Sequence, residues 1–277
     1  MTIEREWTRR LAWEGCLNAR DLGGYATQDG LQTRWGAVVR SDSLAALTPA
    51  GRAALADYGV RAIVDLRLPG EVDRHPNPFA EPGDHGIAYT NVSFIDPAAI
   101  DPAARDDFTT LAEDYTRMLD RFRSAVADVM AAIVNAPDGG VLIHCAAGKD
   151  RTGLISALLL ALADVPQATI ADDYALTAEY LRPREEDWLA NGPGDRAERE
   201  ALLARFTPSA EVMLEVLDNL TRRYGGVERY LTEAGVTPVD LDRLRDRLLA
   251  PRWQAPQPGS SRVASKGAWS EGPGPLR

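Results

Sequence analysis

The chain has 277 residues, of which 45% are hydrophobic and 26% are charged, as in ordinary globular proteins. This length is enough for one large α/β domain or two small ones, and a single core of this size needs no disulfide or metal ion to stabilise it. The formal net charge of −10 argues against a broad surface for nucleic acid or for anionic membranes. Only two of the 31 basic residues are lysines, Lys149 and Lys266.

Cysteine usage and apolar runs suggest where the protein resides. The two cysteines, Cys16 and Cys145, cannot build a disulfide framework or a four-ligand zinc site, and they favour a reducing compartment. The amino terminus has no uninterrupted apolar segment typical of a signal peptide, and the longest apolar run, 154–163, is too short to span a bilayer. We expect a cytoplasmic protein without stable membrane insertion, with export lacking a recognisable signal as the alternative; the oligomeric state is left open.

The first predicted elements lie in the amino-terminal quarter. Two short strands are expected around the dipeptide Asp29-Gly30, which favours a tight hairpin turn. A helix is predicted over 48–58, because Thr48 suits the N-cap and Pro49 the first helical position. The β-branched, apolar run 60–66 is typical of a parallel strand that is covered on both faces.

The middle of the chain alternates between helix and strand patterns. Apolar residues recur every three or four positions over 108–133, which predicts one long amphipathic helix. Segment 141–144 is interpreted as a second buried strand and 154–163 as a buried helix. A final helix is predicted over 238–249. This alternation predicts an α/β fold with a central, mainly parallel sheet flanked by helices.

The domain organisation follows from composition. Residues 1–250 are predicted to form a single domain, whereas 251–277 is rich in proline, glycine and serine without apolar periodicity and is predicted to be disordered. Segment 182–206 combines dense charge with the sequence Asn-Gly-Pro-Gly. It is interpreted either as a solvated helix-loop excursion or as a mobile helical lid.

The segment between the second predicted strand and the buried helix is expected to bind an anion. A loop there can curl so that its backbone N–H groups converge, and the next helix adds the positive end of its dipole. Arg151 can offer two parallel donors to phosphate oxygens, which a lysine cannot. The residues expected to cradle the phosphate are Ala146, Ala147, Gly148, Lys149 and Gly153.

Cys145 stands at the start of this loop. Helix amino termini and neighbouring cations stabilise a thiolate, so we expect Cys145 to be a thiolate aimed at the bound anion. Thr152 can donate a hydroxyl hydrogen bond to that sulfur. His144 is better suited to orienting the loop than to acting as a base, because the nucleophile is already deprotonated.

The spacing Cys-x5-Arg-Thr is the signature of the cysteine-dependent protein tyrosine phosphatase superfamily. The string HCAAGKDRTG, together with NARDLGGY at 18–25, RSDSL at 40–44 and DLRLPGE at 65–71, resembles bacterial tyrosine and phosphoinositide phosphatases of the mycobacterial tyrosine phosphatase B type. The resemblance implies a tyrosine/dual-specificity phosphatase-like fold and a two-step mechanism without metal or cofactor. Cys145 would attack phosphorus and water would hydrolyse the phosphocysteine, while Arg151 and the loop amides stabilise the equatorial oxygens.

The roles of several charged residues stay open at this stage. A general acid must protonate the leaving oxygen; no Trp-Pro-Asp loop occurs, and Asp150 is preferred over Asp96. Lys149 either binds a second phosphate of the substrate or is an exposed surface residue of the loop. Arg40 is a weak candidate for substrate contact. Charged residues expected to line or brace the site are Arg20, Asp21, Asp65, Arg67 and Glu71.

The substrate is the least determined part of the hypothesis. A phosphorylated protein, hydrolysed by a protein-tyrosine or dual-specificity phosphatase, is preferred. A phosphoinositide and a small metabolite, such as a sugar or nucleoside phosphate, are alternatives, because the loop sets the chemistry while pocket depth sets the substrate. A rhodanese-like sulfurtransferase, which also places a cysteine in a loop after a strand, is a more distant alternative.

Overall fold

The structure is a computed structural model that describes residues 8–81, 86–96 and 110–249. A five-stranded sheet forms its centre, with strand order β1-β2-β5-β3-β4. Strands β2, β5, β3 and β4 run parallel to one another, and β1 is antiparallel to β2. The predicted α/β fold with a mainly parallel sheet is therefore confirmed. The strands are β1 Arg20–Asp21, β2 Val38–Ser41, β3 Val60–Asp65, β4 Ala88–Asn91 and β5 Gly140–His144.

Helices connect and cover the strands. Those of the described residues are α1 Pro49–Tyr58, α2 Pro69–Arg74, α3 Leu111–Arg121, α4 Arg123–Val134, α5 Asp150–Leu162, α6 Gln167–Asn191, α7 Arg196–Phe206, α8 Ala210–Tyr224, α9 Val227–Ala234 and α10 Pro238–Leu248. None of the helices within this part of the chain is long and apolar enough to cross a membrane.

The central strand β5 is covered on both faces, which explains its continuous apolar sequence. Val141 and Ile143 belong to the larger apolar core, to which α3–α6 and α8–α10 contribute. Leu142 points to the opposite face and packs in a smaller core with Leu55 of α1. Because all five residues of β5 are buried, the segment that follows begins from a rigid position in the middle of the sheet.

Most predicted elements agree with the structure to within a few residues. Thr48 caps α1 by accepting a hydrogen bond from the Gly51 N–H, and α10 has the predicted position. The hairpin at Gly30 forms, with φ of +80° at that glycine, but its arms are reduced to one isolated bridge. The buried helix begins at Asp150 rather than at 154, so its first turn belongs to the Cys-x5-Arg loop region.

The single long helix predicted over 108–133 is wrong within the described residues, because two helices lie there. Phe122 separates α3 from α4 with φ of −107° and ψ of 31°. Its ring is buried and packs edge-on against Phe94, with 6.4 Å between ring centroids. Both helices bury their apolar sides in the same core, so the periodicity continues across the break and conceals it. Residues 108 and 109 lie outside the described part.

The two segments with special compositional signals have different outcomes. The proposed tail 251–277 lies outside the described residues. Segment 182–206 is helical: its first part continues α6 through Pro183 as far as Asn191, and its last part is α7. Its role as a lid stays a prediction.

Candidate active site

The Cys-x5-Arg loop (residues 145–151) begins directly after β5, between β2 and β3. Ser41 and Asp65, the last residues of those strands, both pair with His144. The carboxyl ends of three parallel strands therefore meet beside the loop, which is where α/β proteins commonly bind ligands. Gly148 has φ of +66°, and a Cβ there would lie 2.4 Å from the Ser41 carbonyl oxygen. Only glycine fits this turn.

The backbone carbonyls and the backbone N–H groups of the Cys-x5-Arg loop differ in their hydrogen bonding. The Asn18 side-chain amide donates to the carbonyls of Ala147 (3.0 Å) and Gly148 (3.1 Å), and Arg40 Nη2 donates to Gly148 (2.9 Å). In contrast, the N–H groups of 146–152 have no acceptor among the described residues. A run of free N–H groups at the start of a helix is the usual composition of an anion-binding nest.

A buried ion network holds this loop from behind. Asp173 of α6 pairs with Arg20 Nε at 3.1 Å and with Arg40 Nη1 at 2.8 Å, and it accepts a hydrogen bond from Tyr25. Burial alone would raise the pKa of Asp173, but the two arginines outweigh burial and lower it to about 2. Burial and the charge of Arg20 lower the pKa of Arg40 to about 10.

Two charged residues have positions that differ from the expectations. The prediction that Arg40 contacts substrate is wrong for this structure, because its side chain is buried and bound to Asp173 and the loop. Asp21 does not contact the loop: its carboxylate accepts hydrogen bonds from the N–H groups of Gly23 (2.6 Å) and Gly36 (2.7 Å) and from Tyr58. It therefore fixes the turns that flank the 22–36 segment. Arg20 supports the loop indirectly: it donates to the Asn18 side-chain oxygen at 2.5 Å, and the Asn18 amide binds the loop carbonyls.

His144 has the contacts of an orienting residue. Its Nδ1 must donate to the Cys145 carbonyl (3.1 Å), since a carbonyl can only accept. Its Nε2 lies 3.0 Å from the Asn77 amide nitrogen and 3.4 Å from Asp65. Because burial lowers the pKa of His144, the ring is neutral and its Nε2 accepts from Asn77.

Asp65 and Arg67 bind each other at the carboxyl end of β3, beside the loop. Two Asp65 oxygens accept hydrogen bonds from Arg67 at 2.7–3.1 Å. Burial would raise the pKa of Asp65, but the hydrogen bonds from Arg67 outweigh burial and lower it. Arg67 also donates to the carbonyl of His75, so the pair connects the end of β3 to the end of α2.

Arg151 projects to the front of the loop, where Glu71 of α2 binds it. The two guanidinium nitrogens donate to the two carboxylate oxygens at 2.6 and 2.9 Å. Hydrogen bonding from Arg151 lowers the pKa of Glu71. Burial would lower the pKa of Arg151, but Glu71 outweighs burial and raises it. Glu71 therefore holds the planar guanidinium in one orientation. Nη1 also donates to the Leu66 carbonyl at 3.4 Å, whereas Nε and the second N–H of Nη2 have no acceptor among the described residues.

The candidate acid Asp150 lies in the first turn of α5, and its side chain is 36% exposed. It accepts a hydrogen bond from the Tyr115 hydroxyl at 2.5 Å, and that hydroxyl lies 2.7 Å from the hydroxyl of Tyr174. Burial and the charge of Asp150 raise the pKa of Tyr115, so this tyrosine is a neutral donor. Asp96 is exposed and directly precedes residues 97–109, which lie outside the described part.

The remaining predicted loop residues also have defined surroundings. Lys149 Nζ donates to the carbonyl of Phe206, the last residue of α7, at 3.0 Å, and lies 3.7 Å from Asp150. The Thr152 hydroxyl is buried and has no hydrogen-bond partner among the described residues. Gly153 allows close approach of α6, because a Cβ there would lie 2.9 Å from the Tyr174 ring.

Several residues of this site have no separate signal in the sequence. Asn18 lies within the string NARDLGGY, but nothing there marks its side chain as a ligand of the loop carbonyls. Tyr115, Asp173 and Tyr174 lie on helices, where nothing in the local sequence distinguishes them from other helical residues. Only their proximity to Asp150 and Arg40 in the folded chain indicates a role.

A mainly parallel α/β sheet with a Cys-x5-Arg loop at the end of its central strand is the arrangement of the cysteine-dependent phosphatases. Residues 11–250 match the profile of the tyrosine phosphatase family, and the chain belongs to that family. It is thus a phosphatase, a hydrolase of phosphate esters, as the sequence resemblance implies.

Three bacterial proteins are similar to this chain over most of its length. It is 36% identical to a tyrosine-protein phosphatase of Nostoc commune, over 76% of this chain and 74% of the relative. It is 33% identical to a putative tyrosine-protein phosphatase of Cupriavidus necator, over 87% and 88%. It is 26% identical to the triple specificity protein phosphatase PtpB of Mycobacterium tuberculosis, over 85% and 97%.

Proposed function

We propose that the chain is a metal-independent protein phosphatase, of the protein-tyrosine or dual-specificity type, that acts through a phosphocysteine at Cys145. The observation that carries the proposal is the loop that follows this cysteine. Its carbonyls are bound from behind by Asn18 and Arg40, while the N–H groups of 146–152 have no acceptor in the described residues. Such a loop can bind a phosphate dianion with backbone donors alone.

In the first step the Cys145 thiolate attacks phosphorus, the S–P bond forms and the bond to the leaving oxygen breaks. Asp150 protonates that oxygen; the hydrogen bond from Tyr115 orients its carboxyl group. The loop amides and Arg151 stabilise the charge on the three equatorial oxygens, and preorganised donors of this kind contribute the largest part of the rate enhancement. Glu71 keeps Arg151 in place before substrate binds.

In the second step water attacks the phosphocysteine, and the P–S bond breaks. Asp150, now a carboxylate, takes a proton from the water, and the sulfur leaves as a thiolate. The Thr152 hydroxyl has no partner in the described residues, so it is available to donate a hydrogen bond to that sulfur. The acid of the first step is the base of the second, which returns the site to its starting protonation state.

The substrate class rests on the relatives. Two are named tyrosine-protein phosphatases and the third a triple specificity protein phosphatase, which favours a phosphoprotein over a phosphoinositide or a small metabolite. The sulfurtransferase alternative is wrong, because the chain belongs to the tyrosine phosphatase family. Comparing kcat/KM for a phosphotyrosine peptide, a phosphoserine peptide, an inositol phosphate and a sugar phosphate tests the preference.

Loss of the nucleophile tests the mechanism most simply. We expect Cys145→Ser to lose measurable hydrolysis of p-nitrophenyl phosphate, whereas a Cys16→Ser variant, which changes the other cysteine, keeps it. Vanadate should inhibit the wild-type protein and a metal chelator should not. Full turnover by Cys145→Ser, or loss of activity with the chelator, would contradict the proposal.

A further inference from the structure

A cleft of about 550 Å³ opens beside the front of the Cys-x5-Arg loop. It reaches the loop at Ala146 and includes Glu71, the residue that holds Arg151. From there it extends between the 15–17 segment, the 42–46 segment, the end of α2 and the second half of α6. A substrate whose phosphate lies in the loop would therefore place its neighbouring groups in this cleft.

The charges that line the cleft are not all neutralised. Arg67 is bound to Asp65, and Glu71 is bound to Arg151. The buried Asp42 carboxylate accepts hydrogen bonds from the Cys16 thiol and from the N–H groups of Leu17 and Asn18. By contrast, Arg74 at the end of α2 and Arg184 on α6 are exposed and make no ion pair or hydrogen bond with any residue that the structure describes. Two arginines without an acidic partner in the described part of the chain thus flank the approach to the loop, in a protein whose net charge is −10.

The accessible surface of the cleft is mainly apolar, although Asp42, Ser43 and His75 also contribute to its lining. Leu17, Ala45 and Ala46 line it, and the two alanines are exposed. A mainly apolar surface complements the side chains of a peptide better than it complements an inositol or sugar ring, which carries a hydroxyl on most of its carbons. The residues that flank a phosphotyrosine in a peptide can supply both an acidic group for the arginines and an apolar side chain for the wall.

We propose that this cleft is a subsite for acidic residues that flank the phosphorylated residue of a peptide, with Arg74 and Arg184 contacting their carboxylates or a second phosphate. The proposal rests on the proposed function and names its substrate class more closely. It also assigns the second anionic group to residues other than Lys149, whose Nζ is bound to the end of α7 and which does not line the cleft.

Two phosphotyrosine peptides that differ only in flanking residues test the subsite. One carries glutamates on both sides of the phosphotyrosine and the other carries glutamines. We expect the wild-type protein to have the higher kcat/KM for the glutamate peptide. Arg74→Gln and Arg184→Gln should each reduce this ratio about two- to five-fold, as expected for exposed ion pairs. The double variant should bring the ratio close to one.

The effect should appear in KM rather than in kcat, because binding remote from phosphorus contributes equally to ground state and transition state. The preference should also weaken as salt is added. Arg229→Gln is the matched control, since it removes an arginine from α9, which does not line the cleft; its ratio should equal that of the wild-type protein.

Each contrary outcome has a distinct meaning. A double variant that keeps the full preference, or a wild-type protein without one, would overturn the subsite. A double variant that loses preference for an inositol bisphosphate over a monophosphate, but not for the glutamate peptide, would overturn the peptide assignment. If the wild-type protein hydrolyses neither peptide, the proposed function itself fails, whatever the arginines do.

Discussion

Two arginines bind carboxylates on opposite sides of the Cys-x5-Arg loop, and their surroundings differ. Arg40 lies behind the loop, where its side chain and that of Asp173 are each 1% exposed. Arg151 lies in front, where its side chain is 13% exposed and that of Glu71 is 20% exposed. Arg40 donates to a loop carbonyl, whereas Arg151 belongs to the loop itself.

The difference in burial indicates that the Arg40–Asp173 pair (the rear pair) supports the loop, whereas the Arg151–Glu71 pair (the front pair) takes part in the reaction. Charges without access to water cannot exchange their partners for a ligand, and breaking such a pair leaves an uncompensated buried charge. The rear pair therefore fixes the shape of the loop. The front pair is partly hydrated, so its loss costs little stability, and its arginine can bind phosphate oxygens. We expect substitutions behind the loop to affect folding and those in front to affect turnover.

The largest expected effect on stability is that of Asp173→Asn. This change leaves Arg20 and Arg40 without their shared counterion and should lower the free energy of unfolding by about 3–5 kcal/mol. Glu71→Gln makes the same chemical change in front and should cost about 1 kcal/mol or less. Urea denaturation of both variants measures the contrast, and equal losses would contradict it.

Arg151→Lys should have the opposite effect to Asp173→Asn: a large loss of activity with little loss of stability. Lysine keeps the charge but cannot offer two parallel donors to phosphate and to Glu71, so kcat/KM for p-nitrophenyl phosphate should fall about 100- to 1000-fold. The free energy of unfolding should change by about 1 kcal/mol or less. A loss of activity below ten-fold would show that the forked geometry is not needed.

Loss of the general acid should lower the rate by a factor that depends on the leaving group, and the effect should be smaller than that of Arg151→Lys. For phenyl phosphate, a poor leaving group, Asp150→Asn should lower kcat about 100-fold, within the usual range for general acids. The loss should shrink for p-nitrophenyl phosphate, whose leaving group needs less protonation. Asp96→Asn is the matched comparison. If it shows the larger leaving-group dependence, Asp96 and not Asp150 is the acid.

The smallest expected effect is the pH dependence, at acidic pH, of the stability that the Arg40–Asp173 pair contributes. The folded protein lowers the pKa of Asp173 from 3.8 to about 2, so the unfolded chain binds this proton more readily. The stabilisation is complete above about pH 4 and is lost as the pH falls towards 2. The difference in unfolding free energy between wild-type protein and Asp173→Asn should therefore narrow in this window. A constant difference would contradict the ion pairing.

The sequence predicted those parts of the site whose residues are adjacent in the chain. The strand, the loop and the next helix follow one another directly, so the position of Cys145, Arg151 and Asp150 could be inferred from local patterns. The rear support could not, since Arg20 and Asp173 are separated by 153 positions and no periodicity links them. Only the fold brings α6 beneath β1 and β2.

The errors in the prediction have the same origin. The break at Phe122 was concealed because the aromatic ring keeps the apolar periodicity while the backbone departs from the helix. Asp21 was expected to line or brace the site together with Arg20, but the two side chains lie on opposite sides of β1. The side chains of neighbouring residues in a strand point to opposite faces of the sheet, and the motif alone did not show that this segment is a strand.

Trapping the covalent intermediate tests the central claim most directly. Wild-type protein is mixed with p-nitrophenyl phosphate, quenched in acid within the first turnover, digested and analysed by mass spectrometry. We predict one added phosphoryl group on the peptide that contains Cys145, and none in Cys145→Ser treated in the same way. Turnover of the wild-type protein with phosphate on another residue, or on none within the first turnover, would contradict the account.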